Sequence, residues 1–243
     1  MQMTKELEKR LKLMQRFNQV QLYNDKIFVH NNIMYATDGH IFVVSSNLTD
    51  YKDFSFFKCN NKKFEYLDSS DKEVKEIKEI TKDGKNLENV LQKFNHASVS
   101  FDIDFEDCPL PTKLCSSWSK RHRDIITINL QTEEAIIDFC GGLDSPDGVT
   151  ANYGDIIKNV SGELPKNPIR FELWHIMEIM KQCKVKKIHI ESNTDKHINM
   201  CKVKDYTFIF TDLIYIFWKT SGGKLEKTFN ADVITDAEKE VKN

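Results

Sequence analysis

The apolar positions change period early in the chain, and that change predicts the first elements. Leu7, Leu11, Met14 and Phe17 recur at helical spacing behind Thr4, a good helix-capping residue, so a helix is predicted from there to about Val20. Lys26-Ile-Phe-Val-His30, Ile33-Met-Tyr-Ala36 and Ile41 to Ser45 then read as three strands. Asn31-Asn32 and Asp38-Gly39 separate them, and both pairs are turn-formers because Asn, Asp and Gly tolerate the backbone a tight turn needs. The opening unit is therefore a helix followed by a three-stranded meander.

Farther on, aromatic residues crowd the stretch from Tyr51 to Tyr66, which predicts short strands on a core. Residues 71–85 alternate five acids with five lysines, the pattern of a solvated helix. Leu87 to Phe94 is a short amphipathic helix. Ser98 to Phe105 alternates, with Phe101, Ile103 and Phe105 expected inward and Asp102 and Asp104 expected to face water. Ile125 to Leu130 and Ala135 to Phe139 form a hairpin pattern. Gly141 to Gly148 is the strongest break. Beyond it Leu173, Ile176, Met177, Met180 and Cys183 stripe a second helix, and strands are expected over 187–192, 197–203 and 206–219. The order of helix, meander, helix and strands suits a pseudo-symmetric α+β fold. The divisions expected are 1–145, 146–223 and a polar tail, 224–243.

Composition narrows the class. The chain has 243 residues, 40% hydrophobic and 30% charged, which suits a globular protein rather than a disordered one. Its longest wholly apolar run, Leu213 to Trp218, is far short of the roughly 20 residues of a membrane span. Met1 leads straight into a charged helix, so no signal peptide and a cytoplasmic location are expected. The six Cys are scattered without zinc spacing and read as reduced thiols. A net charge of −2 excludes a uniformly basic coat but leaves room for a basic face. Lys5, Lys9, Lys12 and Arg16 supply one, since they fall largely outside the apolar stripe of the first helix.

Three strings in order carry a resemblance. Ala36-Thr-Asp-Gly-His40 is followed by Tyr153-Gly-Asp-Ile-Ile157, and then by Phe171 leading into Ile176, Met177, Met180 and Lys181. Together they resemble the bacterial-type DNA sliding clamps, the beta subunits of DNA polymerase III, in divergent and shortened form. The resemblance implies an α+β, DNA-clamp-like fold of pseudo-symmetric helix-plus-antiparallel-sheet domains. It also implies helices toward a central hole and sheets outside. Double-stranded DNA would then meet Lys5, Lys9, Lys12 and Arg16, together with Lys181 and Lys184. A peptide pocket for partner proteins, the DNA polymerase and clamp loader, would be walled by Thr37, Gly39, His40, Ile41 and Phe42. Two-domain length implies a homo-oligomer, a trimeric ring. Abundant Lys, Asn and Ile with little Pro or Gly point to a phage or AT-rich source.

Catalytic readings are poorer. Asp102, Asp104, Glu106 and Asp107 offer carboxylates, but alternation along a strand accounts for the first two without a metal. The seven His, His40 and His175 among them, show no ligand spacing, and no phosphate-binding glycine loop or nucleophile turn occurs. No cofactor and no enzymatic activity are expected. Trp118, Lys120, Arg121 and Arg123 interleave an aromatic with cations, as single-strand binders do, or form an exposed loop. A nuclease on an α+β scaffold and a monomeric clamp-like module that binds replication proteins are the rival readings.

Overall fold

The computed structural model describes residues 3–18, 25–30, 32–37, 41–45, 51, 55–61, 63–68, 70–75, 94, 96–107, 124–139, 149–211, 217–221 and 224–228. The first helix, α1, is Lys5–Arg16. Thr4 lies in extended backbone and its Oγ1 accepts the Leu7 N–H at 3.2 Å, satisfying one of the donors a helix start leaves unpaired. The helix ends earlier than the apolar spacing suggests, because Phe17 leaves helical geometry and turns its ring inward.

Strands β1 (Lys26–His30), β2 (Ile33–Thr37) and β3 (Ile41–Ser45) form the expected antiparallel meander. The next strands are β4 (Ser55–Asn60), β5 (Lys63–Leu67) and β6 (Val99–Asp104). The hairpin β7 (Ile125–Asn129) and β8 (Glu134–Phe139) follows, then β9 (Val149–Asn152), a 3-10 turn at Gly154–Ile156, and β10 (Ile157–Gly162). Strand β11 (Ile169–Glu172) runs straight into a helix, α2 (Leu173–Cys183). A second meander comes after it: β12 (Lys187–Asn193), β13 (Ile198–Val203) and β14 (Tyr206–Thr211).

Ten strands make one sheet, in the order β10-β6-β12-β13-β14-β3-β2-β1-β4-β5. The two meanders meet in the middle. Strand β3 pairs antiparallel with β14 through Phe208↔Val43 and Ile209↔Phe42. Each meander follows a helix, and the β3–β14 pair stands at the centre of the sheet with five strands belonging to either side of the junction. Strand β6, which precedes residue 145, pairs with β10 and β12, which follow it. A second, four-stranded sheet has the order β11-β7-β8-β9.

Both helices and both sheets share one apolar core. Leu11 and Met14 of α1 and Phe17 just after it are fully buried, as are Ile176 and Ile179 of α2. Phe17 stands 5.3 Å from the Phe208 ring and 5.8 Å from Trp174, so it joins α1, β14 and α2. Phe171 meets Phe210 edge-on at 5.0 Å, tying the small sheet to the large one. The opposite face of the large sheet carries a smaller apolar group of Tyr35, Val44, Ile198 and Ile209, with Phe94 packed on it.

Contact density separates a body, Met1–Asp212, from a second unit, Leu213–Asn243. That second unit contains a hairpin of β15 (Phe217–Ser221) and β16 (Lys224–Thr228). The polar stretch expected as a tail from 224 therefore begins as a strand, and the strand region expected over 206–219 holds β14 and the start of β15. The helix expected at Leu87 to Phe94 lies outside the described residues except for Phe94, and of the helix expected over 71–85 only 71–75 are described, with 72–75 helical. No described helix is long and apolar enough to cross a membrane.

Asp102 and Asp104 require a correction. Alternation along β6 predicts both in water, yet they are 5% and 7% exposed. They do leave the helix-side core, but neighbouring strands cover them. Lys187 Nζ lies 2.7 Å and His189 Nδ1 2.8 Å from the Asp102 carboxylate, and Asn159 donates to it at 2.5 Å. Asn159 reaches it from an irregularity in β10 where its φ is 55°. The same irregular strand ends at Gly162, where φ is 104° and a Cβ would collide with the Ser98 carbonyl.

Burial pushes the Asp102 carboxyl up, but the hydrogen bonds from Asn159, Lys187 and His189 outweigh it and hold the pKa below its ordinary 3.8. A carboxyl whose folded pKa is depressed stabilises fully above its unfolded value and loses that contribution as pH falls through the folded one. The stability difference between wild type and Asp102→Asn should thus be constant above about pH 4 and shrink progressively as pH falls below it, a comparison that circular dichroism against pH makes directly.

Candidate nucleic-acid interface

Helix α1 buries one side in the core and leaves Lys5, Lys9, Lys12 and Arg16 exposed on the other. Beside them lie the C-terminal end of α2 and the two-residue turn between β13 and β14. Together these enclose an open groove of about 500 Å³. Among the described residues its walls carry Lys5, Lys9, Arg10, Lys12, Arg16, Lys184 and Lys204 against Glu6, Glu8 and Asp205, a net charge of +4. On a chain whose net charge is −2, this is a marked local excess of cation.

The groove brings together five of the six expected DNA contacts. Lys181 is not among its lining residues: it is exposed on α2, 3.9 Å from Glu178. Lys12 is held by Glu8 at 2.6 Å, whereas Lys5, Lys9 and Lys184 make no ion pair with a described residue. Arg10 spans Glu6 at 3.5 Å and Asp205 at 3.4 Å. Lys204 and Asp205 had no signal in the sequence. They enter because the β13–β14 turn is carried next to α1 by the sheet. Lys204 also donates to the Cys183 carbonyl, placing a cation at the negative end of α2.

Backbone geometry sets the two lysines contributed by the second half apart. Among the described residues seven other than Gly take left-handed φ, and three of these are Asn, which tolerates it. Lys184 (φ 53°) and Lys204 (φ 55°) are the lysines, and both line the groove. Lys184 closes α2 in that conformation, with the following Val185 N–H bonded to Met180 O at 3.0 Å. A Gly there would remove the Cβ penalty. Retaining Lys keeps a charge where the helix end alone would favour Gly. Lys184→Gly should accordingly raise stability by about 1 kcal/mol while weakening polyanion binding. Thermal melting and a DNA titration on the same sample read the two opposite signs.

The expected peptide wall divides. Thr37 pairs with Phe42, so both lie on the outer face of the sheet, beside Ile209. Ile41 points the other way and is fully buried in the helix-side core. Gly39 and His40 lie outside the described residues, as do Trp118, Lys120, Arg121 and Arg123. His175 is a buried side chain, its Nε2 3.9 Å from Glu172 and its ring edge-on to Trp174 at 5.1 Å. Glu106 and Asp107 are exposed.

No protein-family model matches the chain, and no curated protein matches it. Solved structures do. The beta subunit of the DNA polymerase of Streptococcus pyogenes superposes with a TM-score of 0.50 at 13% identity, over 85% of this chain and 64% of that one. The DNA polymerase III beta subunit of Thermotoga maritima gives 0.50 at 12%, over 86% and 63%. The DNA polymerase sliding clamp of Bacillus subtilis gives 0.50 at 10%, over 86% and 62%.

The fold is that of the bacterial sliding clamps.

The chain spans less than two thirds of the length of these clamps. Within the clamp fold the strings that carry the resemblance have structural roles here. Tyr153 packs edge-on to Phe105 at 6.0 Å, Ile156 and Ile157 are buried, and Phe171 precedes α2 inside the core.

Proposed function

We propose that this chain is a DNA sliding clamp, a processivity factor that encircles double-stranded DNA and tethers the DNA polymerase after a clamp loader places it. The observation that carries this reading is the cationic groove on the helix side of a clamp-fold sheet. Such a groove can meet phosphates without reading bases, which is the requirement for sliding. Tethering makes each polymerase rebinding event intramolecular, so processivity rises with no bond chemistry in the clamp. The chain acts as a scaffold rather than an enzyme. We place it in the cytoplasm, the host cytoplasm if the source is a phage, as a homo-oligomer with a trimeric ring favoured. We keep a division at 145/146, with α1 and the first meander before it and α2 and the second meander after it. Thr37 and Phe42 mark the partner-peptide surface.

The ring is tested by mass photometry with small-angle scattering at micromolar protein. A species of about three subunits with a hollow envelope supports it. A compact monomer at every concentration overturns it. The second reading, a monomeric module that binds replication proteins, draws on the outer sheet face, where Phe28, Ile33, Phe42 and Met200 are only partly buried. A monomer that captures polymerase peptides without retaining circular DNA would select it.

A further inference from the structure

The groove contains acids as well as bases, and each of its three acids touches a cation of α1, Glu6 sharing Arg10 with Asp205. Glu8 Oε1 lies 2.6 Å from Lys12 Nζ, and Asp205 Oδ2 lies 3.4 Å from the Arg10 guanidinium on the opposite wall. One acid comes from α1 and the other from the β13–β14 turn, yet both engage cations of the same helix. The Glu8–Lys12 pair is exposed on both sides, at 43% and 57%, and such pairs contribute little to folding. Glu8 gains a little from its place in the first turn of α1, but the ion pair itself adds little to that. Its larger consequence is for binding. A lysine already neutralised must leave its carboxylate before it can displace a counterion from a phosphate, and the carboxylate itself repels the phosphate.

We propose that Glu8 and Asp205 are electrostatic brakes: they keep Lys12 and Arg10 partly withheld from the phosphate backbone, so that the groove grips duplex DNA weakly enough to slide. The inference rests on the proposed DNA-facing role of the groove and deepens it by naming what limits its affinity. With both acids neutralised, the groove charge rises from +4 to +6 among the described residues. Lys12 becomes an additional phosphate contact at no cost in contacts elsewhere.

The test uses the full chain and a fluorescent duplex, with affinity measured from low to high salt for wild type, Glu8→Gln, Asp205→Asn, Lys9→Ala and Glu163→Gln. Glu163 is an exposed acid that does not line the groove. The expected result is that Glu8→Gln and Asp205→Asn each tighten binding about three- to tenfold at low salt, an advantage that fades as salt rises. The log–log salt slope of Glu8→Gln should steepen by about 0.9, the value of one further phosphate contact. Glu163→Gln should match wild type.

Unchanged or weaker binding by Glu8→Gln, with Lys9→Ala clearly weakened, overturns the brakes and leaves the DNA-facing groove standing. Equal tightening by Glu163→Gln also overturns them, since net charge alone would explain the gain. If Lys9→Ala binds like wild type, the groove reading fails and the brakes fail with it. Glu8→Gln decides the matter even if Asp205→Asn disturbs the turn, because it alters only an exposed helix side chain.

Discussion

Replacing Lys5, Lys9 and Lys184 together by alanine is expected to weaken duplex binding by about two to three orders of magnitude at low salt, and to flatten the salt slope by between about 2 and 3. These three are exposed, line the same groove, and make no ion pair with a described residue. Each can therefore release a condensed counterion from DNA without first breaking an ion pair with a described residue. Lys12→Ala alone should cost less, because Glu8 already occupies it at 2.6 Å. The melting temperature of the triple variant should stay close to that of wild type, since none of the three side chains is buried. Fluorescence anisotropy across a salt series, paired with thermal melting, separates this from damage to the fold. An unaltered slope in a folded triple variant would remove the groove from the DNA-binding surface.

Phe208→Ala is expected to have the largest effect on stability, about 3–5 kcal/mol, measured as a shift of the urea midpoint. Phe208 is fully buried at the centre of β14, opposite Val43 of β3, where the two meanders join. Its ring meets Phe17 at 5.3 Å and Tyr206 at 6.2 Å. Truncation opens a cavity at the one strand pair that joins the two five-strand halves, while Phe17, which closes α1, loses an aromatic partner. The surroundings have little room to relax, because Phe17 is fixed by Trp174 as well. A cost below about 1 kcal/mol would mean that the central pairing is not a packed junction.

Much of the local structure was legible because local rules decide it. The α1 stripe of Leu7, Leu11, Met14 and Phe17 is buried as its spacing requires, and Thr4 caps where a hydroxyl before an apolar stripe should. The stripe of Leu173, Ile176, Met177, Met180 and Cys183 is buried throughout. The strands flanking Asp38-Gly39 pair as a hairpin, Thr37 against Phe42. Asp102 and Asp104 went astray for a definite reason. Period-two alternation tells which face of a strand a residue occupies, but not whether that face meets water. Lys187, His189 and Asn159, more than fifty residues away along the chain, cover it.

The same distinction governs the site. Lys5, Lys9, Lys12 and Arg16 could be grouped from sequence because they share one helix, and helical spacing alone puts them together. Lys184 needed the resemblance to bring it in, and Lys204 and Asp205 were invisible. Nothing in a two-residue turn announces what stands beside it. Ile41 shows the converse, since a string match treats consecutive residues as one wall, while a strand sends Ile41 and Phe42 to opposite faces.

By itself the sequence determined α1 and α2, the meanders, their inward faces and the cationic side of α1, since each depends on residues within a few positions of one another. Only the tertiary structure decided that the two meanders join through β3 and β14, that the acids of β6 are covered, and that α1 and the β13–β14 turn face one another across a groove. Those outcomes depend on pairings between residues far apart in the chain, chosen by which burial of the whole apolar surface leaves the fewest backbone groups unpaired.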